Sequence, residues 1–299
     1  MTDEEPQMAD GAPPMTDDLR RPAGTQRGSD RKPESIPKES ERLEAAVLEA
    51  LHGAATDELR ERLGLRLERI DGALVSIAAN DPSILLNRAM GLGLARPATD
   101  AGIERIRAAY RTHDVERFYL GVHPDARPAS IEDALKNAGL ESARGWMKFE
   151  RGPDPVPMPE SSLEVREIGT EHVADFGRIV ASGFGLTPDA AGLFRGLIDH
   201  PGFRMYVTFD GDTPAGTGLM YVDGECAWLD WAATDSEFRR RGSQRALLAR
   251  RIEDALDAGC SRLLTATGEA VPDDPQHSYH NIEWAGFEPV VVRENWVPE

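Results

Sequence analysis

The chain has 299 residues, 40% of them hydrophobic, and a formal net charge of −18 at pH 7, a size that suits two domains better than one core. That acidity argues against broad binding to nucleic acid or to an anionic membrane, both of which need a positive field. No run approaches the ~20 apolar residues of a membrane span, and the acidic, proline-containing start carries no secretory signal, so a cytoplasmic location is expected.

Residues 1–38 mix Pro6, Pro13, Pro14, Pro22, Pro33 and Pro37 with charged and small polar residues and read as a disordered arm. The region 39–152 follows. Hydrophobic patterning there places strands at 73–78, 84–87, 117–122 and 146–150, and helices at 99–112 and 129–138. Gly91 and Gly93, in the joint before the first of these helices, read as close backbone packing, since no nucleotide-loop pattern surrounds them. Alternating prolines at 153–160 mark an extended linker, and a second folded region spans 161–299.

In that second region a strand is expected at 163–168 and helices at 171–182 and 188–199, the latter opened by Thr187 and Pro188. Two hairpin strands, 203–209 and 216–221, flank Asp210-Gly211-Asp212. A buried strand at 226–234, a helix at 243–257, a strand at 262–267, a helix before Gly286 and a closing strand at 289–293 complete the order. Cys226 and Cys260 show no metal or disulfide spacing and read as buried thiols.

The joint between strand 226–234 and helix 243–257 is the most informative stretch. It runs Phe238-Arg239-Arg240-Arg241-Gly242-Ser243-Gln244-Arg245. Unpaired N–H groups and the macrodipole make a helix start attractive to anions. Gly242 lets the backbone approach a ligand, and the arginines supply charge. On an acidic protein such a local basic spot suits one small polyanion rather than a duplex.

This stretch resembles the acyl-CoA pyrophosphate loop of the GNAT acetyltransferase superfamily, Gln/Arg-x-x-Gly-x-Gly/Ala. Arg239 and Gly242 match, whereas Gln244 departs from it with an amide that can still bond phosphate. The order of elements over about 137 residues and the Ala285-Gly286-Phe287 helix ending resemble the same family. The resemblance implies a mixed α+β sheet flanked by helices, and acetyl transfer from acetyl-CoA, as co-substrate and without a metal, to an amine on a small molecule or peptide. The first region partly repeats the pattern, with Gly139-Leu140 echoing Gly286-Phe287, so tandem GNAT-like domains are expected, the first one degenerate.

The resemblance further implies that Ala232, Ala233 and Thr234 meet the pantetheine arm through a splayed or bulged strand. Arg239, Arg240, Arg241, Gly242, Ser243 and Gln244 would hold the pyrophosphate, and Asn281 would contact CoA. Direct attack on the thioester requires the amine to lose a proton. Asp230, a carboxylate inside an apolar strand, and Glu269, at the carboxyl end of the next strand, are both candidates for the base; a structural ion pair and a solvated loop are their plainer readings. The family's usual acid, a tyrosine about four residues before the Gly-Phe pair, is replaced by Ile282, leaving Tyr279 as the nearest phenol. His277 and His280 lack companion ligands for a metal. Trp228, Trp231, Trp284 and Trp296 read as aromatic residues of the catalytic half. A non-catalytic acyl-CoA sensor, or an interaction protein on the same fold, is the competing function; a homodimer stays open.

Overall fold

Residues 38–299 are described in the computed structural model; the arm expected at 1–38 lies outside them up to residue 37. Helix α1 (Glu39–Ala54) has no counterpart in the sequence reading. It buries Leu43, Val47, Leu48 and Leu51 at helical spacing, but the same face carries Glu41, Glu44 and His52, which obscures the apolar stripe. Helix α2 (Asp57–Leu63) is capped by the Thr56 side chain and stops at left-handed Gly64. Strands β1 (Leu65–Ile70) and β2 (Ala73–Ala78) form an antiparallel hairpin whose turn residues Asp71 and Gly72 both have positive φ, as a two-residue hairpin turn requires.

The strand expected at 84–87 is instead a set of turns, and β3 (Arg88–Met90) follows it. Asn87 accounts for the difference. Its side chain bonds the backbone of Ala78, Asp81 and Ser83, offering local partners that compete with a strand ladder. Helix α3 (Asp100–Thr112) starts at the Thr99 cap, followed by β4 (Tyr119–Val122), α4 (Ile131–Asn137) and β5 (Leu140–Arg151). Gly93 packs against the Arg127 backbone, whose carbonyl oxygen would lie 2.8 Å from an added Cβ, in line with its reading as a packing glycine.

Beyond the linker come β6 (Glu164–Glu167) and α5 (Val173–Phe184). The helix expected at 188–199 is a run of 3₁₀ turns, Pro188–Leu197. It presses so closely on α5 that the Ala191 carbonyl oxygen would sit 2.2 Å from a Cβ on Gly177. Strands β7 (Phe203–Asp210), β8 (Thr213–Asp223) and β9 (Cys226–Thr234), helix α6 (Ser243–Asp257), strand β10 (Arg262–Gly268), helix α7 (His277–Trp284) and strand β11 (Glu288–Pro298) complete the order.

The chain divides into two compact units. The first comprises residues 38–149 with Pro289–Glu299, the second Glu150–Glu288. The closing strand is thus counted with the first unit, not with residues 161–299. In the first unit the strand order is β1-β2-β3-β4-β11-β5; β3 and β4 are parallel, and β4 and β11 antiparallel. Ile103, Ile106 and Tyr110 of α3 and Leu135 of α4 pack on Val75, Leu120 and Trp296. Trp296 is therefore a core residue of the first unit, which corrects its placement with the catalytic half. Leu48 of α1 meets Leu74 and Met90 on the alternate positions of the strands. Glu44, on the same helix, pairs with Arg88 and Arg293 at 2.7 Å each and with Lys148, all four side chains being buried.

In the second unit the order is β10-β9-β8-β7-β6, with β9 and β10 parallel and the remaining neighbours antiparallel. Both units are therefore mixed sheets flanked by helices. Cys226 and Cys260 are buried free thiols.

Candidate active site

Strand β9 carries a bulge. Thr217 pairs with Ala233 and Leu219 with Asp230, so Gly218 alone opposes both Trp231 and Ala232, the two-against-one count that defines a bulge. Trp231 adopts φ +46°, an outlier for a bulky residue. Its ring is held edge-on by Phe184 and Phe194, with centroids 5.3 and 5.2 Å away. Past Leu229 and Thr265 the register between β9 and β10 ends, although β9 continues to Thr234 and β10 to Gly268. Ala232, Ala233 and Thr234 lie in this stretch, where β9 and β10 run on past their last paired residues and leave a splay between them.

Side chains replace the ladder at the bulge. Trp231 N–H donates to Asp230 Oδ1 at 2.8 Å, and Trp228 Nε1–H donates to Oδ2 at 3.0 Å. The Thr217 hydroxyl donates to the Trp231 carbonyl at 3.3 Å. From α6, Arg251 Nη1 donates to the carbonyls of Leu219 at 2.9 Å and Asp230 at 3.3 Å, while its Nε bonds Leu247 O at 3.0 Å. Burial pushes the Arg251 guanidinium down to about 10, with Tyr206 and Asp230 acting in the opposite sense, so it stays charged at neutral pH.

The basic turn leads into α6 through Gly242, at φ +82°. No side chain caps this helix, so the first-turn N–H groups, which by helical geometry lack intrahelical acceptors, keep their anion-binding capacity. Gln244 Nε2 donates to Thr234 Oγ1 at 2.9 Å, tying the helix start to the end of β9. Ser243 is buried and its hydroxyl bonds Thr208 at 2.9 Å, which leaves only its main chain for a ligand.

The arginines divide their duties. Arg241 makes a two-pronged pair with Asp210 at 2.7 and 2.9 Å and bonds Ser162, so its side chain joins the turn to the hairpin end rather than standing over the helix start. Arg239 is half-buried and Arg240 is exposed, with φ +60°. Arg245 Nε donates to Asn281 Oδ1 at 3.0 Å, and its guanidinium stacks 5.0 Å from the Trp284 ring centroid. Asn281 is thereby bound to the loop helix.

Glu269 follows Gly268 at the carboxyl end of β10 and is half-buried. Tyr279 lies half-buried on α7, and burial, followed by the Glu283 charge, raises its phenol above the ordinary value. Ile282 is a core residue. The helix ends as a Schellman motif, Gly286 N–H bonding Glu283 O at 2.9 Å and Phe287 N–H bonding Ile282 O at 3.3 Å, with Gly286 at φ +81° and Phe287 buried. Among the described residues no group of three or more His, Cys, Asp or Glu is arranged to hold a metal ion, and no helix is long and apolar enough to cross a membrane.

Residues 175–287 match the family model described as the acetyltransferase (GNAT) family. This stretch is a GNAT domain. No curated protein matches the chain significantly. Among solved structures, a GCN5-related N-acetyltransferase from Kribbella flavida has a TM-score of 0.54 and 16% identity, covering 86% of this chain and 96% of its own. A GCN5-related N-acetyltransferase from Sphaerobacter thermophilus has a TM-score of 0.54 and 18% identity, covering 89% of this chain and 92% of its own. These are likenesses of fold, and they extend over more of the chain than the GNAT domain alone.

Within the GNAT domain, the structure joins Thr234 to Gln244 and Asn281 to Arg245, and it places Asp230 at the bulge. The sequence reading missed Arg251 and Thr217. A signal for Arg251 was available: Gly218 lies inside a strand, a sign of close approach, and it is the glycine that Arg251 packs against, while an arginine one position before Ile252 falls on the helix's buried face.

Proposed function

We propose that the second unit transfers an acetyl group from acetyl-CoA to a primary amine. The observation that carries this reading is the uncapped start of α6 behind Gly242, tied by Gln244 to the bulged end of β9. Main-chain N–H groups of the α6 first turn would hold the pyrophosphate, with Arg239 and Arg240 adding charge. The pantetheine arm would run into the splay between β9 and β10, beside Ala232 and Ala233.

In the reaction the amine nitrogen attacks the thioester carbonyl carbon, the new C–N bond forms, and the C–S bond breaks. The nitrogen loses a proton and the departing CoA thiolate gains one, giving an amide and free CoA. Glu269, at the mouth of the splay, is assigned as the base that takes the proton, directly or through water, from an amine whose reference pKa is ~10.4. Tyr279 is the phenol assigned to return one.

Gln244→Glu tests the cofactor site. A carboxylate in the first turn favours the helix but repels phosphate, so the fold should melt no lower while acetyl-CoA binds about tenfold more weakly by calorimetry. Unchanged affinity would reject the loop assignment. A bulky residue at Gly242 is a poorer test, because a Cβ there would lie 2.1 Å from the Glu160 carbonyl oxygen. Glu269→Gln should lower turnover about a hundredfold with little change in acetyl-CoA affinity, read by CoA-thiol release over an amine panel; equal turnover across pH would remove Glu269 as the base.

A second reading, an acyl-CoA-binding protein without turnover, is favoured by one observation: the position of the family's tyrosine is Ile282, sealed in the core. It expects saturable acetyl-CoA binding and no thiol release with any amine.

A further inference from the structure

We propose that Arg251 and Asp230 are a positioning pair that sets the bulge of β9 and, through it, the thioester end of the acyl-CoA site. The inference rests on the reading of α6 and β9 as that site. It assigns Asp230 to the shape of the strand and not to proton transfer.

Three observations converge. First, the two Asp230 oxygens are each engaged by an N–H donor, Trp231 main chain on one and Trp228 indole on the other. A carboxylate serving two donors can satisfy both at once, whereas an amide in its place offers a single acceptor oxygen. Second, the Arg251 guanidinium packs against Gly218, the single residue opposite the bulge; a Cβ on Gly218 would come within 2.8 Å of Cζ and 2.9 Å of Nε. From there it bonds a carbonyl on each strand, Leu219 on β8 and Asp230 on β9, at the place where the register breaks. Third, the strand held in this way carries Trp231 at φ +46°. Such a conformation persists only where its surroundings over-determine it.

Arg251 belongs to α6, the helix whose first turn is assigned to the pyrophosphate. One rigid helix therefore bears the phosphate-binding end and, two turns on, the side chain that fixes the bulge. The distance between pyrophosphate and thioester would be set by that helix rather than by a loop, the kind of preorganisation that places a reacting carbonyl accurately.

The test compares two probes by calorimetry on the full chain: acetyl-CoA, which spans both ends, and 3′-phospho-ADP, which carries the phosphates without the pantetheine arm. Asp230→Asn and Arg251→Met should each weaken acetyl-CoA about tenfold and leave 3′-phospho-ADP within about twofold, and Arg251→Lys should recover part of the loss. Trp228→Phe removes the indole donor while leaving Asp230 and Arg251 in place; its smaller ring opens space in the core, so it is read only where it melts as a folded protein, and it should show a smaller shift of the same kind.

Where turnover is measured, Asp230→Asn should raise the acetyl-CoA KM and keep the acid limb of the kcat/KM profile; loss of that limb with KM unchanged would make Asp230 a base and overturn the assignment. Variants that melt like the wild type and bind both probes like it, or that lose both probes equally, would also overturn the proposal. Failure of the wild type to bind either probe would instead sink the acyl-CoA reading beneath it.

Discussion

At Glu44, burial alone would raise the carboxyl pKa, yet Arg293, Lys148 and Arg88 together hold it well below its ordinary value of 4.5. A folded-state pKa below the unfolded one means that the stabilisation is fully present above the ordinary value and fades as pH falls through the lowered one. Urea melts should therefore show the first unit weakening as the pH drops below about 4. Glu44→Gln removes the anion that three cations share and should cost ~3–5 kcal/mol at pH 7, with the acid dependence blunted; an unchanged melt would mean that the network contributes nothing to stability. Arg251 is the counterpart in the second unit, a buried cation whose partners are mainly carbonyl oxygens rather than carboxylates.

Among the elements, the end of α7 permits a clean backbone experiment. Gly286 has φ +81° and no clash to meet, an added Cβ making only ordinary contact with the Arg151 guanidinium at 3.8 Å. Gly286→Ala should thus cost ~1 kcal/mol from the left-handed conformation alone, read by thermal melting. Gly218→Ala has a different cause: its Cβ would displace the Arg251 guanidinium, leaving two carbonyls without their donor, for ~1–3 kcal/mol.

These contrasts show what the sequence makes legible. The helix stop at Gly286-Phe287, strand 226–234 and helix 243–257 follow from local rules, namely a glycine's conformational freedom and hydrophobic period, and they were readable. The duties of Arg241 and Ser243 were not. Both depend on what the hairpin brings near them, Asp210 in one case and Thr208 in the other, and no local pattern encodes those partners. The turns at 84–87 and helix α1 escaped for a related reason, since apolar residues pointed one way while polar side chains with long-range or backbone partners decided the outcome.

For the whole molecule, the grouping of residues 289–299 with the first unit yields a deletion experiment. Removing them takes away Trp296 from the core, Arg293 from the Glu44 network and the strand that pairs with β4. Hydrogen exchange should then accelerate through β2, β3 and β4 by orders of magnitude, as expected when a central strand is lost, while β7, β8 and β9 keep their protection. Equal protection throughout would show that β11 is dispensable.

The same strand imposes an order of events on biosynthesis. β11 emerges from the ribosome after every residue of the GNAT domain, whereas its neighbour β4 emerges long before. The unit begun first therefore waits for its own last strand, with a gap in its sheet exposed meanwhile to chaperones and to other nascent chains. A pause or frameshift late in the message would strike the older half of the protein and spare the younger one.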